Sequence, residues 1–274
     1  MKKLILLLLV FFIAVNTQAQ KKEKIKGNKI VIDVSQDLED FNAIEIGDNL
    51  KVTIANSVSN GYRLIADENL IDVIKFKVVN GELKIYTTSN ITYSKKLEVS
   101  LTVKNINKIT LKEDAKLTSM SRLNFIDFTF IALDNAAYDL DLEAENSTFN
   151  LYRSTSGSVH LKGEKAFMLF NENAFLKGEI ELDELELITN NRTDINLSGD
   201  VTTLKINASG SSSLKAKNLE TSYADLNSEN TADLYINASK EIKIYAKDKS
   251  SVYVYGQPDI KVAGLIGNSQ IVKK

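Results

Sequence analysis

Between residues 109 and 254 the chain repeats one motif at a nearly constant interval: an apolar residue, any residue, then a second apolar residue. One set of these doublets runs Ile109/Leu111, Phe128/Phe130, Phe149/Leu151, Phe167/Leu169, Leu185/Leu187, Leu204/Ile206, Ala224/Leu226 and Ile242/Ile244. Their second members are 19, 21, 18, 18, 19, 20 and 18 residues apart. A second set runs Val159/Leu161, Ala174/Leu176, Ile195/Leu197, Leu214/Ala216, Leu234/Ile236 and Val252/Val254. The two sets keep a phase of ten residues at Leu151–Leu161, Leu187–Leu197, Ile206–Ala216, Leu226–Ile236 and Ile244–Val254. At Leu169–Leu176 it shortens to seven, and the register near Leu140/Leu142 is ambiguous. Alternation with period two is strand periodicity, and chance alternation does not hold one phase over so many turns.

A unit of about 19 residues with short strands and no helical periodicity is a solenoid unit. It predicts an all-β fold, a right-handed parallel β-helix with rungs of about 19–20 residues, in which the inward doublets of stacked rungs merge into one apolar column. About ten rungs at the strand spacing make a rod of roughly 50 Å. A large antiparallel sandwich or barrel also places strands at such intervals. Against it, Asn-Gly hairpin signals occur only at Asn60-Gly61 and Asn80-Gly81. The residue inside each doublet faces outward, and on four successive rungs it reads Glu186, Lys205, Asp225, Lys243, with opposite charges on neighbouring strands. The polar stretch Asn207 to Ser213 then turns a corner between two inward doublets and is not a linker.

The first residues have a different character. Lys2 and Lys3 precede an apolar run from Leu4 to Val15, and Thr17-Gln18-Ala19 ends in a small residue. This is the pattern of a signal peptide over 1–19, too short to span about 30 Å of hydrocarbon as an anchor. The expected organisation is thus signal peptide 1–19, an N-terminal segment or cap 20–40, and one β-helix domain 41–274. The expected location is outside the cytoplasm: periplasm, outer-membrane surface or extracellular, with no transmembrane segment in the mature chain. The formal net charge of −2 argues against nucleic acid as a partner. The absence of cysteine leaves an exported chain held by its own packing. Asn-x-Ser/Thr triplets such as Asn90 and Asn146 read as turn chemistry.

No catalytic constellation stands out. His160 is the only histidine, lies between Val159 and Leu161, and lacks a Gly-x-Ser-x-Gly elbow, so it reads as a surface residue. One histidine and no cysteine cannot fill a zinc site, and the Gly-Gly-x-Gly-x-Asp calcium nonamer is missing, so no metal and no cofactor are expected. Asp194 near Arg192, with Asp225 or Asp233, are the carboxylates one would examine for polysaccharide lyase or hydrolase chemistry on a β-helix. A groove grouping three or more carboxylates would favour that reading, and a flat aromatic column would favour a binder. The aromatic candidates are Tyr235 and Tyr253, placed in one outward column with His160 and Phe175 earlier in it, and the outward Tyr245 and Tyr255. Exposed aromatics on a rigid sheet stack on sugars or anchor a protein.

The segment Phe41-Asn42-Ala43-Ile44-Glu45-Ile46-Gly47-Asp48-Asn49-Leu50-Lys51-Val52-Thr53-Ile54 is followed by Asp67-Glu68-Asn69-Leu70-Ile71 and by Val79-Asn80-Gly81-Glu82-Leu83-Lys84-Ile85. This order resembles the head GIN domain family of auto-transporter adhesins, found in exported Bacteroidota proteins, over roughly residues 40 to 255. The resemblance implies a right-handed parallel β-helix outside the cytoplasm. Two departures are visible: Glu113-Asp114-Ala115 stands where relatives carry Ser-Gly-Ala, and no barrel segment follows the last rungs. The resulting expectation is a non-enzymatic exported module for surface or periplasmic interaction, its partner a glycan or a cell-surface protein. A polysaccharide-active enzyme on the same scaffold, and a structural element acting only as an assembly, are the alternatives.

Overall fold

One corner recurs along the regular turns of the chain. At Asp48, Glu113, Asp134, Arg153, Glu172, Asn191, Gly210, Asn230, Asp248 and Gly267 the backbone is left-handed, with φ between +58° and +76°. Gly, Asn and Asp adopt this conformation readily, but Glu113, Arg153 and Glu172 do so at a cost of about 1–3 kcal/mol each. Stacking holds them there, because the corner keeps its hydrogen bonds to the turn beneath. Ser154 N–H donates to the Asp134 carbonyl (2.8 Å), Asn173 to Arg153 (2.9 Å), Arg192 to Glu172 (2.9 Å) and Ser211 to Asn191 (2.8 Å). Two residues beyond the left-handed one, a small side chain turns inward: Ala115, Ala136, Thr155, Ala174, Thr193, Ser212, Ala232 and Ser250 are all buried.

The computed structural model describes residues 22–274, so the segment expected to be a signal peptide lies outside the described residues. The first part of the chain forms β1 (Lys24–Lys26), β2 (Val31–Asp37), β3 (Ala43–Ile46), β4 (Lys51–Asn56), β5 (Gly61–Asp67), β6 (Ile74–Val79), β7 (Glu82–Thr87), β8 (Asn90–Tyr93) and β9 (Leu97–Val103). The regular coils follow as β10 (Lys108–Leu111), β11 (Lys116–Ser119), β12 (Leu123–Ala132), β13 (Ala137–Leu151), β14 (Ser156–Phe170), β15 (Phe175–Thr189), β16 (Asp194–Ala208), β17 (Ser213–Ser228) and β18 (Asp233–Ala246). Three short strands end the chain: β19 (Ser251–Gly256), β20 (Asp259–Leu265) and β21 (Gln270–Lys273). Stacked parallel coils form a β-solenoid of about nine turns.

Ladder register confirms the period and corrects its phase. Ala137, Ser156, Phe175, Asp194, Ser213, Asp233, Ser251 and Gln270 are successive partners, 18 to 20 residues apart. One inward column runs Ile109, Phe130, Phe149, Met168, Leu187, Ile206, Leu226, Ile244. The doublet Phe167/Leu169 therefore faces outward, and Ala166, Met168 and Phe170 are the buried residues on that rung. The stretch Ala166-Phe-Met-Leu-Phe170 is apolar at both parities, so alternation cannot choose its face; pairing with Phe149 and Leu187 does. With Met168 paired to Leu187 and Gly178 to Leu197, the irregular step gives way to the regular one of ten residues. The stretch expected to turn a corner does so more tightly than expected, at Ser209 to Ser212, with β16 running through Ala208. Tyr138 occupies the inward column partnered by Gly157, where a Cβ would fall 2.4 Å from the tyrosine ring. The outward charge column holds, with Lys205–Glu186 at 3.1 Å and Lys243–Asp225 at 3.4 Å.

The N-terminal coils depart from sequence order. β3 pairs in parallel with both β7 and β10, and β4 with both β9 and β11, so the turn made by β7 and β9 lies beneath the earlier turn made by β3 and β4. Beyond it the ladders become antiparallel: β5 pairs with β9 and with β2, and β6 pairs with β7. Asn80-Gly81, both at positive φ, makes the β6–β7 hairpin. Asn60-Gly61 does not make a hairpin, because β9 separates β4 from β5. Asn60 is instead buried, its carbonyl oxygen Oδ1 accepting from Lys104 N–H at 2.9 Å. Asp67, at the end of β5, is fully buried and accepts backbone N–H bonds from Lys29 (2.9 Å), Lys95 (3.1 Å) and Lys96 (3.2 Å). These bonds tie the segments flanking β2 and β9 to the same carboxylate. Burial pushes this carboxyl up, but together the three donors hold it below its ordinary range.

Two outcomes are expected. Lys205→Pro removes a ladder donor from a strand paired on both sides, so it destabilises by about 1–3 kcal/mol and lowers Tm by several degrees. Asp67 has a depressed folded pKa, so its contribution is present above the unfolded carboxylate value and disappears as pH falls through the folded one. Thermal melts from pH 7 to pH 3 should therefore show Asp67→Asn less stable than wild type at pH 7, with the gap narrowing in acid.

Candidate functional site

In-register stacking dictates the aromatic pair. Tyr235 in β18 and Tyr253 in β19 are direct ladder partners, so both side chains leave the same face one strand spacing apart. Their rings stack at 4.5 Å between centroids and 12° between planes. Lys215 is the partner of Tyr235 on the rung below, and the Lys274 ammonium lies 5.3 Å from the Tyr253 ring centroid, within cation–π range. Burial raises the Tyr235 hydroxyl above its ordinary pKa, and the neighbouring Tyr253 adds to the effect. Tyr255 leaves the same strand face two residues after Tyr253, opposite Asn237. All three tyrosines are half-buried, giving a flat aromatic strip on a rigid support.

The other expected members of the group lie elsewhere. Tyr245 sits in the second half of β18, in the column of Asn207 and Asn227, and its ring lies against Gly264 on a different side of the solenoid. His160 belongs to the column Asp141, His160, Glu179, Ser198, and Phe175 to the column Ser156, Phe175, Asp194; neither shares the column of Tyr235. The true column beneath Tyr235 reads Asp139, Ser158, Lys177, Asn196, Lys215. Counting back in steps of 19 or 20 from Tyr235 finds it. The two flanking lysines were not singled out in the sequence, because a lysine on an outward position carries no signal until its neighbours are known.

The catalytic alternatives are also placed. His160 Nδ1 lies 3.5 Å from Asp141, which pairs with Arg122 at 2.9 Å, while Glu143 stands 3.6 Å from the same guanidinium. This is an exposed charge cluster in which His160 meets an ion pair. Asp194 pairs with Lys215 at 3.0 Å and Asp225 with Lys243 at 3.4 Å, so neither joins the other at one centre. Among the described residues, no group of three or more His, Asp or Glu has the arrangement to hold a metal ion. A shallow groove of about 520 Å3 does collect Glu143, Glu145, Glu164, Glu181, Asp183 and Asp200. All six are exposed, whereas a carboxylic acid that protonates a leaving group at neutral pH needs an apolar surrounding to raise its pKa. Lys162 bonds Glu181 across the groove at 3.0 Å. Among the described residues no helix is long and apolar enough to cross a membrane.

Known folds of the same kind are similar to this chain along nearly its whole length. A crystal structure described as a putative adhesin from Parabacteroides merdae has 16% identity and a TM-score of 0.70, covering 92% of this chain and 99% of that one. One described as a putative lipid binding protein from Parabacteroides distasonis has 17% identity and a TM-score of 0.66, covering 92% and 100%. A putative adhesin from the same organism has 14% identity and a TM-score of 0.62, again covering 92% and 100%. At such identities the likeness speaks for the fold. No curated protein matches the chain. The family model described as "Putative auto-transporter adhesin, head GIN domain" matches residues 40–258, so the chain belongs to that family.

Proposed function

We propose that this protein is an exported, non-enzymatic adhesion rod that presents the Tyr235–Tyr253 strip, extended by Tyr255, to a glycan or a cell-surface protein. The observation that carries the reading is the parallel stack of two half-exposed tyrosine rings on adjacent rungs, flanked by Lys215 and Lys274. A sheet held by ladder bonds on both sides supplies that surface without an ordering cost on binding. Flat rings with polar tips stack on the apolar faces of sugars or fill a shallow protein pocket. Membership in an adhesin-head family supports the adhesive role, and the signal-peptide pattern over 1–19 supports export to the periplasm or surface. Tyr245, on another side, stands outside this strip.

The test is Tyr235→Ala combined with Tyr253→Ala. Truncating an aromatic pair at the centre of a contact costs about 2 kcal/mol or more. The double variant is thus expected to lose at least about tenfold in binding to cells or to the best ligand of a glycan array, with Tm little changed. Undiminished binding overturns the strip as the site. Shortening of a polysaccharide in the same assay would replace the binding reading with a glycan-processing one centred on the acidic groove.

A further inference from the structure

The two ends of the solenoid are unfinished in complementary ways. At the C-terminal end, β20 pairs only with β18 and β21 only with β19 among the described residues, leaving one edge of each open. Among the described residues, the inward columns continue into this last layer without a cover. Ile242 and Ile244 are fully buried, but Val262, the next residue above Ile244, is 54% exposed. Leu265, above the buried Ala246, is 52% exposed. At the N-terminal end, among the described residues, β2 pairs only with β5 and β6 only with β7, and their edges are open too.

Tracing the ladders shows which edges correspond. β2 and β21 are the first and last strands of one side, connected through β5, β9, β4, β11, β13 and onward; β6 and β20 are the first and last strands of another. Their charges are opposed where the ends would meet. β2 carries Asp37, and Asp33 that Arg63 of β5 already pairs at 2.6 Å, while β21 and the residue after it carry Lys273 and Lys274. β6 carries Lys75 and Lys77, and β20 carries Asp259 opposed to them, its Lys261 being paired with Glu241 at 2.6 Å. Two like ends brought together would instead set Asp37, or Lys273 and Lys274, near their own copies. Unpaired strand edges invite a further strand, and a heterologous contact of this kind propagates in one direction.

We propose that a second copy of this chain docks its N-terminal end, β2 and β6, on the open C-terminal end, β21 and β20, so that rods stack head to tail along the solenoid axis. The incoming layer covers Val262 and Leu265 and continues the apolar columns at the ordinary strand spacing of about 4.8 Å. Opposite charge on β2 and β21 sets the polarity of stacking and makes assembly weaken with added salt.

The experiment uses two full-length variants, each blocked at one end at exposed positions and each checked for wild-type circular dichroism. One carries Val262→Lys and Leu265→Lys; the other carries Asp37→Lys and Lys77→Glu. Mass is followed by analytical ultracentrifugation across a range of protein and salt concentrations. Wild type should gain mass with concentration and lose it with salt, each variant alone should stay monomeric, and an equal mixture should give a species of twice the monomer mass and no larger. A dimer formed by the N-terminally blocked variant alone would replace the proposal with a two-fold contact between C-terminal ends. A wild type that stays monomeric at every concentration overturns it.

Discussion

Every coil of this protein is held by hydrogen bonds it makes to other coils. A single turn between Ala137 and Ser156 has few backbone partners within itself; its N–H and C=O groups go to the turn below and the turn above. That axial ladder forces equivalent residues into columns, and the columns do the rest. Apolar columns such as Phe130, Phe149, Met168 and Leu187 form the core. Opposite charges in one outward column pair across strands, and two tyrosines in another are brought to stacking distance. The left-handed corner serves the ladder by returning the chain to the same place after 18 to 20 residues. Strain at Glu113, Arg153 and Glu172 persists because a relaxed corner would break register with both neighbours.

A stack that propagates needs a beginning, and the chain builds one by leaving sequence order. After β3 and β4 it runs outward through the antiparallel β5 and β6, then returns as β7 and β9 to fill the layer between them. The first parallel turn is thereby covered before the regular coils start. Asp67 ties two stretches of backbone, at Lys29 and at Lys95 and Lys96, to this layer through one buried carboxylate, a stronger fastening than a neutral side chain offers at the same place. The other end has no comparable cover among the described residues, which is the asymmetry on which head-to-tail stacking rests.

A solenoid of this kind presents long, flat, rigid sides, and chemistry on them is a matter of which columns are adjacent. The aromatic strip and the acidic groove lie on different sides, and they differ in kind. The strip is half-buried, carries a perturbed tyrosine and has cations at its rims. The groove is a set of solvated acids with one lysine bridging them. The first is organised for contact, and the second resembles an ordinary charged face.

Much of this was legible in the residues themselves. Alternation and phase identify the strands, the inward doublets from Leu185/Leu187 onward, the parallel solenoid and the charge column, because side-chain parity and rung length are local properties of the chain. Parity fails where both faces are apolar, as from Ala166 to Phe170, and there the pairing partners choose Met168 over Phe167 and Leu169. No local signal shows that β7 and β9 slip beneath β3 and β4, since which strand becomes a neighbour is decided by distant hydrogen bonds. The same holds for the tyrosines. The sequence by itself determined that Tyr235, Tyr245, Tyr253 and Tyr255 point outward, because the first three lie between inward residues and Tyr255 follows the inward Val254. Only the tertiary structure decided that Tyr245 stands apart from the other three, because the strand carrying it bends onto another side of the coil.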